Sequence, residues 1–317
     1  MKLIKLRPLI GSKIGLLGWV GLAALNLSAG EATTSSPTAA ADRTAASAVA
    51  AVKAKWLARA NAAVGTEEVN FLAHYGLTPD DVCSDQTVVE DLTSSADAMV
   101  AHQWELYQTH RAHEDLTSAS DNATLRAVIE PILVGQVCDR VELIHCPIVE
   151  DNVGIEKMHT TETCYVTLDK TTHLKDLSRL AAILHHERAH IVYDDNFEGE
   201  TLRYTVWRQL ALQKNLARKK RLKPALPIDV RAWSGSKYQV KAIAQQFQAY
   251  QRAYELRADI YAAVHAPELL DSMLKFNADM PDREAITHPR PATRVKTLTA
   301  IKTELATAAK LDRLRRT

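Results

Sequence analysis

The apolar positions of this chain recur mostly with the period of a helix. Leu177, Leu180, Ala181 and Leu184 fall three and four apart, and no Gly or Pro interrupts the segment before Val192, so a helix with one inward stripe is predicted there. An Ala-rich helix is predicted from Ala45 to Val64, carrying Val49, Val52 and Trp56, with Gly65 as its stop. Others are predicted from about Val88 to His113, from about Asn122 to Val137, near Thr201 to Arg221, from Tyr238 to His265, and from Pro267 and Ala292. Strand character is limited to Val141 to Ile148 and to Cys164-Tyr165-Val166-Thr167-Leu168, which is β-branched and aromatic. The predicted class is α+β, mostly helical, with a small β-sheet. His102, His110 and His113 on the second helix are expected to be solvated.

The N-terminal segment has a different composition. Lys2, Lys5, Arg7 and Lys13 precede an apolar run from Ile14 to Leu27, and Ser28, Ala29 and Gly30 follow. That is the order of a cleaved signal peptide over residues 1–30, and its run of about fourteen residues is short for a membrane span of about twenty. No Cys lies near the cleavage region, so a lipid anchor is not expected. Residues 31–44, rich in Thr, Ser and Ala, read as a flexible leader. An exported protein is expected, periplasmic or secreted. It should be soluble once processed, because no later segment holds eighteen uninterrupted apolar residues. Residues 45–120 read as an N-terminal helical extension and 121–310 as one larger domain.

Charge excludes one class of partner. The formal net charge is +1, and loss of residues 1–30 removes four basic residues and no acidic ones, leaving −3, which gives no footing for nucleic acid. Arg218-Lys219-Lys220-Arg221 with Lys223 is a local exception. It is either a solvated helix end or a docking patch for an anionic surface, such as peripheral contact with a membrane or envelope assembly machinery.

The chemistry lies in His185-His186-Glu187-Arg188-Ala189-His190, which contains HExxH. On a helix, a spacing of four places His186 and His190 on one face, where both imidazoles can hold one zinc ion, while Glu187 stands beside the metal as general base for an activated water. A catalytic zinc site needs a third protein ligand and an open position. Glu255-Leu256-Arg257-Ala258-Asp259 offers two carboxylates four apart on a helix: Glu255 to ligate and Asp259 to accept the outer N–H of a ligand histidine. A solvated face, with Arg252 and Arg257, is the competing reading of that segment.

HExxH followed at this distance by ExxAD resembles the zinc metallopeptidases of the HtpX and CAAX prenyl protease type, family M48. A third element agrees: Thr287-His288-Pro289-Arg290-Pro291-Ala292-Thr293-Arg294-Val295 is similar to the family's Ser/Thr-His-Pro run followed by Arg and an aliphatic residue. The resemblance covers about residues 125 to 305 and implies a zincin-like domain with one Zn2+ per chain. It implies ligands His186, His190 and Glu255, general base Glu187, supporting Asp259, and His288 with Arg294 near the site. His288 is either a donor to the oxyanion formed in the reaction, an inhibitory occupant of the open zinc position, or part of a turn made rigid by Pro289 and Pro291. Asp151-Asn152-Val153-Gly154-Ile155 matches the family's stretch beside the cleft only in part. The resemblance further implies an endopeptidase acting on protein or peptide substrates, extended along an edge strand, among them unfolded or misassembled envelope proteins. A second reading keeps the fold and the metal but makes the protein a latent or inactive chaperone or adaptor; Glu187, which a scaffold does not need, counts against it.

Cys83, Cys138, Cys146 and Cys164 are even in number and form no CxxC pair, in keeping with export. Three pairings are open. Cys83 with Cys138 and Cys146 with Cys164 is the preferred one, the second bond joining the two predicted strands.

Overall fold

The computed structural model describes residues 47–82, 100–102, 104–105, 119–145, 153–218, 237–280 and 288–317. In chain order these form α1 (Ala48–His74), α2 (Ala119–Leu133), β1 (Arg140–His145), β2 (Val153–Met158), β3 (Thr163–Leu168), a one-turn helix (Lys170–His173), α3 (Leu177–Val192), α4 (Asp195–Arg218), α5 (Lys237–His265), a 3-10 turn (Pro267–Leu269), α6 (Leu270–Asp279) and α7 (Pro291–Leu314). The fold is α+β and mostly helical with a small sheet, as the sequence predicts. The predicted signal peptide and leader, most of the Val88 to His113 helix, Cys83, Cys146, Asp151, Asn152 and Lys219 to Lys223 lie outside the described residues. His102 is exposed, as expected.

Contacts divide the described residues into two units, one within 80–244 and the other made of 47–79 with 245–317. In the first, the strand order is β1-β3-β2, with β3 parallel to β1 and antiparallel to β2. Cys164, Val166 and Leu168, alternate residues of β3, share a core with Leu125, Ile129 and Leu133 of α2 and Leu180 and Leu184 of α3. The period of two on the strand and of 3.6 on the helices puts all of them on one side. On the opposite face Tyr165 meets Met158 and Val100, with Trp104 at a ring separation of 5.0 Å.

Two expectations about the sheet change. The strand predicted at Cys164 to Leu168 is the central one, so its backbone groups are taken by neighbours on both sides and cannot hold a substrate. The free edges among the described strands are on β1 and β2. Strand β2 was not predicted, because Gly154, Glu156 and Lys157 break its apolar pattern.

Helix α3 starts where Asp176 accepts the backbone N–H of Arg179 at 2.9 Å, a side-chain N-cap. It stops at Tyr193. Asp194 then takes the left-handed conformation, φ +58°, which Asp tolerates better than most residues, and α4 begins at Asp195, six residues before the predicted start.

The second unit contains α1, α6, α7 and α5 from residue 245 onward. Helix α1 does not end at Gly65; it runs to His74, and Gly76 at φ +69° closes it. The N–H groups of Gly76 and Leu77 donate to the carbonyls of Ala73 and Leu72, both at 3.0 Å, which is a Schellman stop. Helix α7 holds the other end of α1: the Asp312 carboxylate accepts the N–H of Ala48 at 2.8 Å and of Val49 at 3.2 Å. Phe71 meets Phe247 at 5.1 Å, and Phe247, Tyr250 and Tyr254 continue as an aromatic row along α5. From Tyr254 to Val264 every residue of α5 except Leu256 is buried, as expected of a helix enclosed on all sides.

Candidate metal centre

His186 and His190 lie one turn apart on α3, and the spacing does what the sequence suggests. His186 is buried, His190 is largely so, and their Nε2 atoms are 3.2 Å apart. Ligand nitrogens about 2.0–2.1 Å from a tetrahedral zinc ion would be separated by about 3.3 Å. The two imidazoles therefore already stand at the spacing of adjacent ligands.

The outer nitrogen of His190 fixes which of its atoms is free to ligate. Nδ1–H donates to Asp195 Oδ2 at 2.7 Å, and Asp195 is fully buried. A carboxylate in that place holds the imidazole in the tautomer whose Nε2 lone pair points away, and raises its basicity. Sequence reasoning missed Asp195. The available signal was an acidic pair four and five residues after the second histidine, but only the left-handed turn at Asp194 brings Asp195 back to His190.

Helix α5 carries Glu255 and Asp259 at buried positions, which sets aside the solvated-face reading. Glu255 Oε2 lies 3.2 Å from Nε2 of His288, whose side chain is about half exposed. Asp259 takes a bidentate pair from Arg294, with Nε and a terminal nitrogen each 2.5 Å from a carboxylate oxygen. Both partners are buried. Arg294 therefore fixes Asp259, tying the first turn of α7 to α5.

The side-chain donor atoms of His186, His190 and Glu255 all lie within 4.8 Å of one another. Two neutral imidazoles and one carboxylate make a borderline-hard, singly negative donor set, which suits a divalent zinc ion and leaves a fourth position for water or substrate. Glu187, half-buried on α3, sits next to the first ligand in the sequence.

Residues 159–302 match the family model of peptidase family M48. Over that segment the chain is similar to peptidase family M48. Comparison with curated proteins and with solved structures found no match. Members of peptidase family M48 are metallopeptidases, usually of zinc, acting on protein or peptide substrates. The match begins just before β3 and ends in α7, taking in the HExxH helix, the ExxAD helix and the His288 to Arg294 segment.

Among the four cysteines, the structure describes Cys138 and Cys164, both buried and free. The Cys138 thiol donates to the Leu133 carbonyl at 3.7 Å; Cys83 and Cys146, the preferred partners of the two, lie outside the described residues.

Proposed function

We propose that this M48 domain is a zinc-dependent endopeptidase with His186, His190 and Glu255 as ligands and Glu187 as general base. The observation that carries the reading is the convergence of two imidazoles and a carboxylate, one imidazole held by a buried aspartate. Zinc, when bound, supplies Lewis acidity that polarises the scissile carbonyl and acidifies a water molecule. Glu187 takes the proton from the attacking water and returns it to the leaving amine. Asp195 keeps His190 Nε2 directed at the metal. Glu255 balances charge, so that the protein's three ligands carry one negative charge against two positive ones.

His288 is the donor for the developing oxyanion, carried on the segment that Pro289, Pro291 and the Arg294–Asp259 pair hold in place. One contact favours a second reading: His288 already rests on the ligand carboxylate at 3.2 Å, and an imidazole there can cover the open position and keep the enzyme latent. The two roles have opposite signs, since His288→Ala lowers cleavage if it donates and raises it if it blocks.

Export is supported by the basic and apolar N-terminus. No helix among the described residues is long and apolar enough to cross a membrane. Extended segments of unfolded or misassembled envelope proteins are the proposed substrates, bound along a sheet edge through backbone hydrogen bonds. The test is metal content with activity: one zinc per chain by elemental analysis, cleavage of an unfolded protein lost on chelation, and cleavage restored by zinc. Full activity in the metal-free chain refutes the proposal.

A further inference from the structure

The last turn of α7 carries apolar side chains that its neighbour does not cover. The buried stripe of α7 runs through Leu298, Ile301, Leu305 and Ala308. Helix α1 lies antiparallel beside it, with Lys55 paired to Glu304 at 2.9 Å and the N–H of Ala48 donating to Asp312 at 2.8 Å. The start of α1 is therefore level with the end of α7, and the next leucines after the stripe, Leu311 and Leu314, remain 46% and 63% exposed.

Basic residues flank those leucines on both sides. At about 100° per residue, Leu311 and Leu314 stand about 60° apart, with Lys310 about 40° beyond Leu314 and Arg315 about 40° beyond Leu311. Arg315 keeps right-handed helical angles as the C-cap, so this spacing holds through it. Lys310, Arg313, Arg315 and Arg316 are all exposed. The acid among them, Asp312, is engaged by the N–H groups of Ala48 and Val49 and by the Ser47 hydroxyl at 2.7 Å. Four basic residues and one acidic residue give 310–317 a formal charge of +3. The negative end of the helix dipole accounts for part of it, since Arg313 Nε donates to the Ala309 carbonyl at 3.3 Å. It does not account for two exposed leucines set between cations.

We infer that this end of α7 docks on an anionic phospholipid bilayer. Leu311 and Leu314 enter the boundary between headgroups and acyl chains, while Lys310 and Arg315 lay their stems along the apolar surface and reach lipid phosphates. A second copy of the chain would set the same cations against each other, and nucleic acid would leave the leucines in water. Residues 1–46, with their basic and apolar stretch, join the fold at this same end, at Ser47. Docking gives the chain a peripheral hold on a membrane that no helix among the described residues is long and apolar enough to cross.

The test is cosedimentation with vesicles of phosphatidylcholine alone or with about one-third phosphatidylglycerol. It uses the chain without residues 1–30, which are basic and apolar enough to bind vesicles themselves; none of the described residues is removed. Binding to the anionic vesicles, little binding to the neutral ones and release at high salt are expected. Lys310→Gln/Arg315→Gln should lower the partition coefficient by about 25-fold, at about fivefold per cation. Leu311→Ser/Leu314→Ser should lower it by about 10-fold at unchanged charge. All four positions are exposed, and circular dichroism checks that each variant is folded. A chain with Arg218, Lys219, Lys220 and Arg221 all changed to Gln should bind like the parent. Equal binding to both kinds of vesicle, binding retained by both double variants, or binding lost only with the 218–221 changes overturns the inference. So does self-association that the two double variants abolish while the parent ignores vesicles, since that assigns the face to a second copy.

Discussion

Asp259 separates two accounts of the same buried carboxylate. If it serves Arg294, as the two 2.5 Å contacts indicate, removing it leaves a guanidinium with 5% side-chain exposure stripped of its bidentate partner. Breaking a buried pair from one side costs about 3–5 kcal/mol, whereas replacing both partners with apolar groups of similar volume is often close to neutral. Asp259→Leu and Arg294→Met should therefore each lower stability by several kcal/mol. The double variant should be more stable than either single one, with a large favourable coupling in the double-mutant cycle. Urea unfolding followed by circular dichroism gives these values. Zinc affinity, by competition with a chromogenic chelator under conditions where each variant remains folded, should change little. If Asp259→Leu unfolds like the parent but loses about 10–100-fold in metal affinity, the size expected for a group that orients a ligand, then Asp259 supports the metal and the pairing argument fails.

Asp195→Asn should weaken zinc binding by about 10–100-fold, because the amide cannot supply the charge that accepts His190 Nδ1–H; unchanged affinity would show that Asp195 is only a structural link between α3 and α4. Burial on the sheet face shared with Tyr165 and Met158 pushes the Glu156 carboxyl from 4.5 up to about 7. A raised carboxyl pKa costs stability progressively as pH rises through that interval and by a constant amount above it. Glu156→Gln should therefore stabilise by about 2 kcal/mol at pH 8, reduced from about 3 for partial exposure, and by nothing near pH 4.5. Parallel urea titrations across that range would refute this if the gain were independent of pH.

The parts of the site that chemistry ties to sequence spacing were legible. HExxH needs four residues per ligand step on a helix, and α3 supplies them; the long Gly- and Pro-free run predicted α5 within one residue of its observed start. What escaped depended on tertiary placement. Gly65 looked like a helix stop, yet a glycine within a helix costs only about 1 kcal/mol against Ala, and packing of Trp56, Phe71 and Leu72 carries α1 through it. Strand β2 has a polar run where alternation was needed, and its strand character comes from pairing with β3. The contact of Asp195 with His190 turned on a single left-handed residue, Asp194, whose backbone angle no spacing rule supplies.

The most direct test of the central claim is cleavage of an unfolded protein by the zinc-loaded processed chain beside Glu187→Gln, with metal content measured on both samples. The substitution removes the base and none of the three ligands. The expected result is one zinc per chain in both, with cleavage by the parent and a loss of at least about 100-fold in the variant. Equal cleavage by the two zinc-loaded proteins would contradict the assignment of Glu187 and, with it, the proposed mechanism.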